Sequence, residues 1–389
     1  MAVDVADLER RARELLAPGA YNYFSGGSGR ERTLSASVRA WGQYWLAPRV
    51  LRDVSTVDTS VRLPGHPQTL VTTPVAVAPT GFQGLAHPDG ELATARGAAE
   101  AGALMVLSTR TTRRIEEVAE VVAGAGGAWW FQVYLLRARD LTARLVDRAV
   151  AAGARALVLT GDTPVVGHKL RGDGVVSDAL LHANMGPLAD PGITGLAADV
   201  TFADIGWLAR LSGLPVLVKG VLRADDARAC VAAGAAGVIV SNHGGRQLDG
   251  AMPTALALPA VAAALARGDV TAGERRTAAG AVRPVGAAGA AGDNVGTRGD
   301  SVGTSGEVLV DGGLRTGEDV LAALALGARA VFLGRPVLWA LACGGATGVR
   351  DLLTGMTDDL AHVMALAGAP SLAGIPEVTW PPIGNSLDT

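Results

Sequence analysis

The sequence predicts a (β/α)8 TIM barrel with an N-terminal helical extension. One pattern recurs four times, in AEAGALMVL (99–107), AAGARALVL (151–159), AAGAAGVIV (232–240) and ALGARAVFL (325–333): an alanine-rich helix end, Gly-Ala, then a short apolar run. The glycine suits the left-handed residue that closes a helix. A run apolar on both faces reads as a parallel strand covered by helices. Four further runs, PVAVAPTG (74–81), WWFQVYL (129–135), LPVLVKG (214–220) and EVLVDGG (307–313), interleave with these to give eight strands separated by helix-forming stretches. A doubly wound open sheet is the alternative, but it normally needs fewer strands, and no GxGxxG follows the first one.

The elements follow in order. Residues 1–70 are expected to form a helical segment that completes the barrel. They open on MAVDVADLERRARELL, amphipathic and without the uninterrupted apolar stretch of a signal peptide. Residues 71–375 are the barrel and 376–389 a C-terminal tail. Residues 165–205, with Gly-Pro and Asp-Pro-Gly turns, follow the fourth strand; such a loop lies on the catalytic face of a barrel and is a lid candidate. Residues 268–306 are low-complexity Gly/Ala/Thr sequence, expected to be disordered. They stand between a helix and the next strand, and so are expected at the opposite face.

The chain has 389 residues and a formal charge of −3, which gives no electrostatic reason to expect nucleic acid or an anionic membrane as partner. No apolar run approaches the ~20 residues of a spanning helix. The two cysteines, Cys230 and Cys343, have no metal or redox spacing, so no metal is expected and a reducing cytoplasm is.

The predicted strands end, in order, in Thr80; Ser108; Gln132 with Tyr134; Thr160 with Asp162; Lys219; Ser241 with His243; Asp311; and Gly334 with Arg335. Each alone has a plainer reading: a threonine ending a strand is usually a turn former, and a lone histidine is more often structural. Eight such ends in register are the way barrel enzymes assemble a site. The last two strands lead into DGGLRTGED (311–319) and LGRP (333–336). There the glycines allow close approach, and a helix N-terminus with Arg315 and Arg335 supplies positive charge for a phosphate-bearing ligand.

SNHGGRQLDG (241–250), APTGFQGLAHPDGE (78–91), FQVY (131–134), LTGDTP (159–164), LVKG (217–220), LVDGGLRTGEDV (309–320) and LGRP resemble the FMN-dependent 2-hydroxy-acid oxidase/dehydrogenase family, whose members include glycolate, lactate and mandelate-type enzymes. The match runs from about residue 8 to residue 375, except for 268–306. The resemblance implies FMN as cofactor and oxidation of an (S)-2-hydroxy acid, with oxygen or an electron carrier as acceptor. It also implies a homo-oligomer, commonly a tetramer. His243 would be the base, taking a proton from carbon or from the hydroxyl, with Asp162 hydrogen-bonded to it. Tyr23, Tyr134 and Arg246 would bind substrate. Lys219 would sit near the pyrimidine end of the flavin. Pro79, Thr80, Gly81, Ser108, Gln132, Thr160 and Ser241 would hold the flavin ring. Asp311, Gly312, Gly313, Arg315, Gly334 and Arg335 would hold ribityl and phosphate.

Three positions depart from the family pattern. GHKLRG (167–172) puts His168 and Lys169 where two arginines are usual, so Lys169 is a weaker carboxylate binder or Arg171 substitutes for it. Arg110 replaces an apolar or aromatic pocket residue, pointing either to an anionic substrate group or to solvent. Gly81 replaces the alanine of several oxidases, leaving room for a bulkier substrate. With GGSG (26–29) and GRPVLWALA (334–342), this leans to a mandelate-like substrate, with lactate or glycolate as the alternative. An acceptor-linked dehydrogenase, an FMN-type isopentenyl diphosphate isomerase and a flavoprotein without catalysis are the other classes. The pairing of His243 with Arg246 disfavours the isomerase, which has no need of a carboxylate clamp.

Overall fold

The computed structural model describes residues 3–171, 182–185, 194–266, 306–375 and 378–379. Eight parallel strands close into a barrel: β1 Val75–Val77, β2 Met105–Ser108, β3 Trp129–Val133, β4 Leu157–Thr160, β5 Val216–Val221, β6 Gly237–Val240, β7 Glu307–Asp311 and β8 Val331–Leu333. Neighbours in the ring are neighbours in sequence, and β8 closes on β1 through Val331 opposite Val75 and Leu333 opposite Val77. The helices between them are α1 Glu91–Glu100, α2 Ile115–Gly124, α3 Arg139–Ala151, α4 Ala203–Ser212, α5 Ala224–Ala232, α6 Thr254–Ala266, α7 Gly317–Ala325 and α8 Arg335–Leu366. The glycines of the four repeats, Gly102, Gly153, Gly234 and Gly327, all have φ between 66° and 101°, the left-handed turn that ends a helix.

The strands alternate with period 2 between two packed clusters. Val75, Met105, Trp129, Leu157, Val216, Val238, Val308 and Val331 join the outer cluster, under the helices. Ala76, Val106, Trp130, Val158, Leu217, Ile239, Leu309 and Phe332 form the inner one, with Trp130 and Phe332 ring centroids 6.1 Å apart. Full burial of a side chain such as Phe332 stabilises by about 1.5–3 kcal/mol. Two residues further along six of the strands, β2 to β7, the same inward direction carries polar residues of the site: Ser108, Gln132, Thr160, Lys219, Ser241 and Asp311. The inner apolar layer is therefore a rigid base beneath a polar layer.

The N-terminal segment works at both ends of the barrel. Its helices span Val5–Leu15, Pro18–Ser25 and Arg32–Trp41, and helicity stops there. A hairpin of Val61–Leu63 with Thr69–Val71 then sends Val61, Leu63 and Val71 into the inner cluster. It is tied to the N-terminal ends of the strands by His66 N–H to the Arg155 carbonyl and Arg329 Nε–H to the Arg62 carbonyl. At the opposite end, Trp41 Nε1–H donates to the Gly312 carbonyl at 2.8 Å, and Asn242 Nδ2–H to Ser37 Oγ at 2.9 Å. Trp45–Leu46 pairs with Val378–Thr379; the rest of the tail lies outside the described residues.

Residues 172–181 and 186–193 of the lid candidate at 165–205, and nearly all of the 268–306 insertion, also lie outside the described residues. The insertion leaves α6 after Ala266 and returns at the start of β7, the end of the barrel away from the polar layer. α8 is broken by non-helical backbone at Gly344 and Gly345, a Gly-Gly kink that the sequence reading did not single out.

Candidate active site

The polar layer forms two hydrogen-bonded chains. Ser108 Oγ–H donates to Gln132 Oε1 at 3.0 Å, and Gln132 Nε2–H to Thr160 Oγ1 at 2.8 Å. Across the barrel, the Lys219 ammonium donates to Ser241 Oγ at 2.9 Å and lies 2.9 Å from Asp311 Oδ2. All six residues are buried. Burial by itself would lower the Lys219 pKa, but Asp311 and Asp162 outweigh it and raise it, so the ammonium stays charged. Asp311 Oδ1 is buried with no protein partner, an acceptor suited to a ligand hydroxyl.

β6 delivers the chain into a tight turn, His243–Gly245. His243, Gly244 and Gly245 have φ of 56°, 63° and 74°. For a histidine this left-handed conformation is uncommon, and holding such backbone takes about 1–3 kcal/mol from the rest of the fold. His243 N–H donates to Ser241 Oγ at 3.1 Å, which pins the turn to the polar layer. The imidazole Nδ1 sits 3.0 Å from Asp162 Oδ1, and Nε2 3.3 Å from the Tyr134 hydroxyl. Burial pushes the Asp162 carboxyl up, but His243 and Lys219 outweigh it and hold the carboxyl below its usual range. Burial, aided by Asp162, pushes the Tyr134 phenol up to about 12. The phenol is therefore a donor, the carboxylate an acceptor, and Nδ1 carries the imidazole proton. Nε2 is left as the basic nitrogen.

The cavity above this layer is lined by Tyr23, Pro79, Thr80, Gly81, Ser108, Arg110, Tyr134, Lys219, His243, Arg246, Asp311, Gly312, Gly313, Arg315, Gly334 and Arg335. Gln132, Thr160, Asp162 and Ser241, also predicted, act from just behind that surface through the bonds above. Arg246 Nη1–H donates to the Tyr23 and Gly26 carbonyls at 2.6 and 2.9 Å, and its guanidinium lies 4.8 Å from the Tyr23 ring centroid. Arg335 donates to the carbonyls of Phe24, Gly244 and Gly26 at 2.9–3.0 Å. Burial, then the charges of Arg246 and Arg315, push its guanidinium down to about 9. Burial likewise lowers Arg315. Three guanidiniums converge here with no carboxylate in ion-pair contact among the described residues. A buried cation cluster of this kind is stable only with an anion. The pocket thus fits FMN: a phosphate for Arg315 and Arg335, ribityl hydroxyls for Asp311, and a slot for a planar ring over the polar layer.

Several sequence expectations change. The N-terminus of α7 does not offer its N–H groups to a phosphate: Asp319 Oδ2 accepts from Arg315 N–H and Thr316 N–H, and Asp359 Oδ2 from Gly317 N–H. Arg171 does not substitute at the carboxylate site, because it pairs bidentately with Glu31 at 2.9 and 3.0 Å. Lys169 Nζ lies 5.8 Å from the Tyr23 ring centroid, on the ring that Arg246 also stacks against. Arg110 lines the cavity, 5.7 Å from the Tyr134 ring centroid. The room expected at Gly81 belongs to Arg110: a Cβ there would stand 3.0 Å from Arg110 Cβ. Sequence reasoning missed Thr163, whose hydroxyl contacts His243 Nδ1 at 3.4 Å and receives a hydrogen bond from Gln247. Its place beside Asp162 in LTGDTP was the available signal.

The family model described as FMN-dependent dehydrogenase matches residues 12–380. The chain belongs to that family. It is 39% identical to the L-lactate oxidase of Nostoc sp., over 96% of each chain. It is also 39% identical to the 4-hydroxymandelate oxidase of Amycolatopsis orientalis, over 95% of this chain and 96% of that one. A solved mandelate oxidase structure superposes with a TM-score of 0.81 at 38% identity, covering 97% of this chain and 98% of the other. The solved mandelate oxidase shares the fold, and a mandelate oxidase variant has been solved with an FMN adduct.

Proposed function

We propose that this protein oxidises an (S)-2-hydroxy acid to the 2-oxo acid, with FMN as cofactor and oxygen as acceptor. One hydroxy acid and one oxygen give one oxo acid and one hydrogen peroxide. The observation that carries the reading is the ordered chain Asp162–His243–Tyr134 beside Arg246, at the mouth of a pocket rich in buried positive charge.

FMN supplies a two-electron acceptor that oxygen reoxidises. Pro79, Thr80, Gly81, Ser108, Gln132, Thr160, Lys219 and Ser241 would hold its ring, and Asp311, Gly312, Gly313, Arg315, Gly334 and Arg335 its ribityl and phosphate. Arg246, with Nη1 committed to main-chain carbonyls, has Nε and Nη2 to grip the substrate carboxylate. Tyr23 and Tyr134 complete that grip, and Lys169 adds charge behind Tyr23. His243 Nε2 takes the substrate proton, and the Asp162 carboxylate stabilises the resulting imidazolium. The pairing of Lys219 with Asp311 moderates the positive charge at the ring, a feature the sequence reading did not foresee.

The test is anaerobic mixing of the purified holoprotein with (S)-2-hydroxy acids. Bleaching of flavin absorbance near roughly 450 nm, with peroxide formed on admitting air, is the expected result; absence of bleaching with every acid sinks the reading. Cytoplasmic location, expected from the two unpatterned cysteines, and a homotetramer, which the resemblance implies, belong to the same proposal; light scattering tests the assembly.

A further inference from the structure

We propose that the substrate carries a second anionic group, and that Arg110 binds it: the site takes a 2-hydroxydicarboxylic acid. This rests on the oxidase reading above and names its substrate class.

Six basic side chains line the cavity; two are paired within the protein, and the oxidase reading assigns an anion to three more. Lys219 is paired with Asp311, His243 with Asp162, Arg315 and Arg335 stand at the phosphate end, and Arg246 serves the substrate carboxylate. Arg110 is the sixth. Its guanidinium makes no hydrogen bond or ion pair with the described residues and has only the Tyr134 ring beside it. Its neighbours in the same run behave differently. Arg113 donates to the Pro88 carbonyl, and Arg114 lies 3.6 Å from Glu116. A half-buried guanidinium facing a cavity without an anion is unfavourable, and an aromatic face offsets only about 0.5–2 kcal/mol of that.

Topology places the missing anion on the substrate. Arg110 follows β2 and Arg246 follows β6, four strands apart in a ring of eight, so they reach in from opposite sides. Arg110 stacks on Tyr134, whose hydroxyl meets His243 Nε2, the basic nitrogen. A hydroxy acid held at its C1 carboxylate by Arg246, with its α-carbon at His243, extends its far end toward Arg110. Gly81 shapes the same wall, since any larger residue would press on Arg110 Cβ and its carbonyl.

The experiment compares chain-matched acids with the holoenzyme: (S)-2-hydroxyglutarate against (S)-2-hydroxyvalerate, and (S)-malate against (S)-2-hydroxybutyrate. The dicarboxylates are expected to show a kcat/KM at least about tenfold higher, as one charge-assisted contact gives. Arg110→Met should erase that ratio while leaving the monocarboxylates within about threefold, and Arg110→Lys should keep part of it. Binding gives an independent readout: perturbation of flavin absorbance should show 2-oxoglutarate binding more tightly than 2-oxovalerate, and Arg110→Met should lose the difference. Wild-type preference for the monocarboxylates, or equal losses on both series in Arg110→Met, overturns the proposal and leaves the oxidase reading intact. An enzyme reduced by neither series overturns both.

Discussion

Asp162 Oδ1 and His243 Nδ1 are 3.0 Å apart, and the two residues come from the ends of strands that are not adjacent, β4 and β6. Between them β5 brings Lys219, which helps keep Asp162 ionised. The carboxylate thus fixes which imidazole nitrogen carries the proton before any substrate arrives.

Asp162→Asn should therefore lower kcat/KM by about 10²–10⁴-fold while leaving FMN content unchanged, because an amide can present its N–H to Nδ1 and favour the wrong tautomer. Stopped-flow flavin reduction, with the flavin spectrum as control, checks this. A rate within a few-fold of wild type removes Asp162 from the proton-transfer step.

Arg315 and Arg335 should separate when each is changed to Met. Arg315 makes one main-chain bond, to the Leu314 carbonyl, so its loss should weaken FMN about 10- to 100-fold with little change in apoprotein melting. Arg335 satisfies three part-buried carbonyls, so its loss should also lower the apoprotein Tm by several degrees. Fluorescence titration of FMN and differential scanning calorimetry read the two effects.

Arg171→Met should change kcat/KM by less than about threefold, since Arg171 is spent on an exposed pair with Glu31. A loss of about 10²-fold would return Arg171 to the substrate site.

A pH effect is expected away from the site. Arg148 donates to both oxygens of Glu116, at 2.7 and 2.8 Å, and this hydrogen bonding holds the carboxyl at about 2. An unfolded glutamate titrates near about 4.3. The folded pKa is the lower one, so the pair's contribution is full above about 4.3 and fades as pH falls toward about 2. Both side chains are about one-third exposed, and solvent screening keeps the contribution below about 1 kcal/mol. Urea midpoints of Glu116→Gln and wild type should differ at pH 7 and converge as the medium is acidified.

The barrel was legible because its punctuation is local: a glycine that must be left-handed sits four times between an alanine-rich helix end and an apolar run. The polar layer was legible for a related reason. Period-2 alternation carries Ser108, Gln132, Thr160, Lys219, Ser241 and Asp311 inward, two residues beyond the inner apolar cluster. What stayed hidden depends on partners distant in sequence. Nothing near Gly317 announces that Asp359 caps its N–H. Nothing near Arg335 announces that the carbonyls of Phe24 and Gly26 hold it, since a carbonyl carries no residue signature. Glu31 likewise removes Arg171 from across 140 positions of sequence.

The Gly26 carbonyl accepts from Arg246 at 2.9 Å and from Arg335 at 3.0 Å. A single peptide oxygen is therefore the common tether of the guanidinium proposed to grip the substrate and the guanidinium proposed to hold the phosphate. An anion that draws one arginine away loosens its share of that tether and leaves the other arginine a stronger hold. Occupancy at one end of the cavity is then felt at the other, through a residue with no side chain of its own.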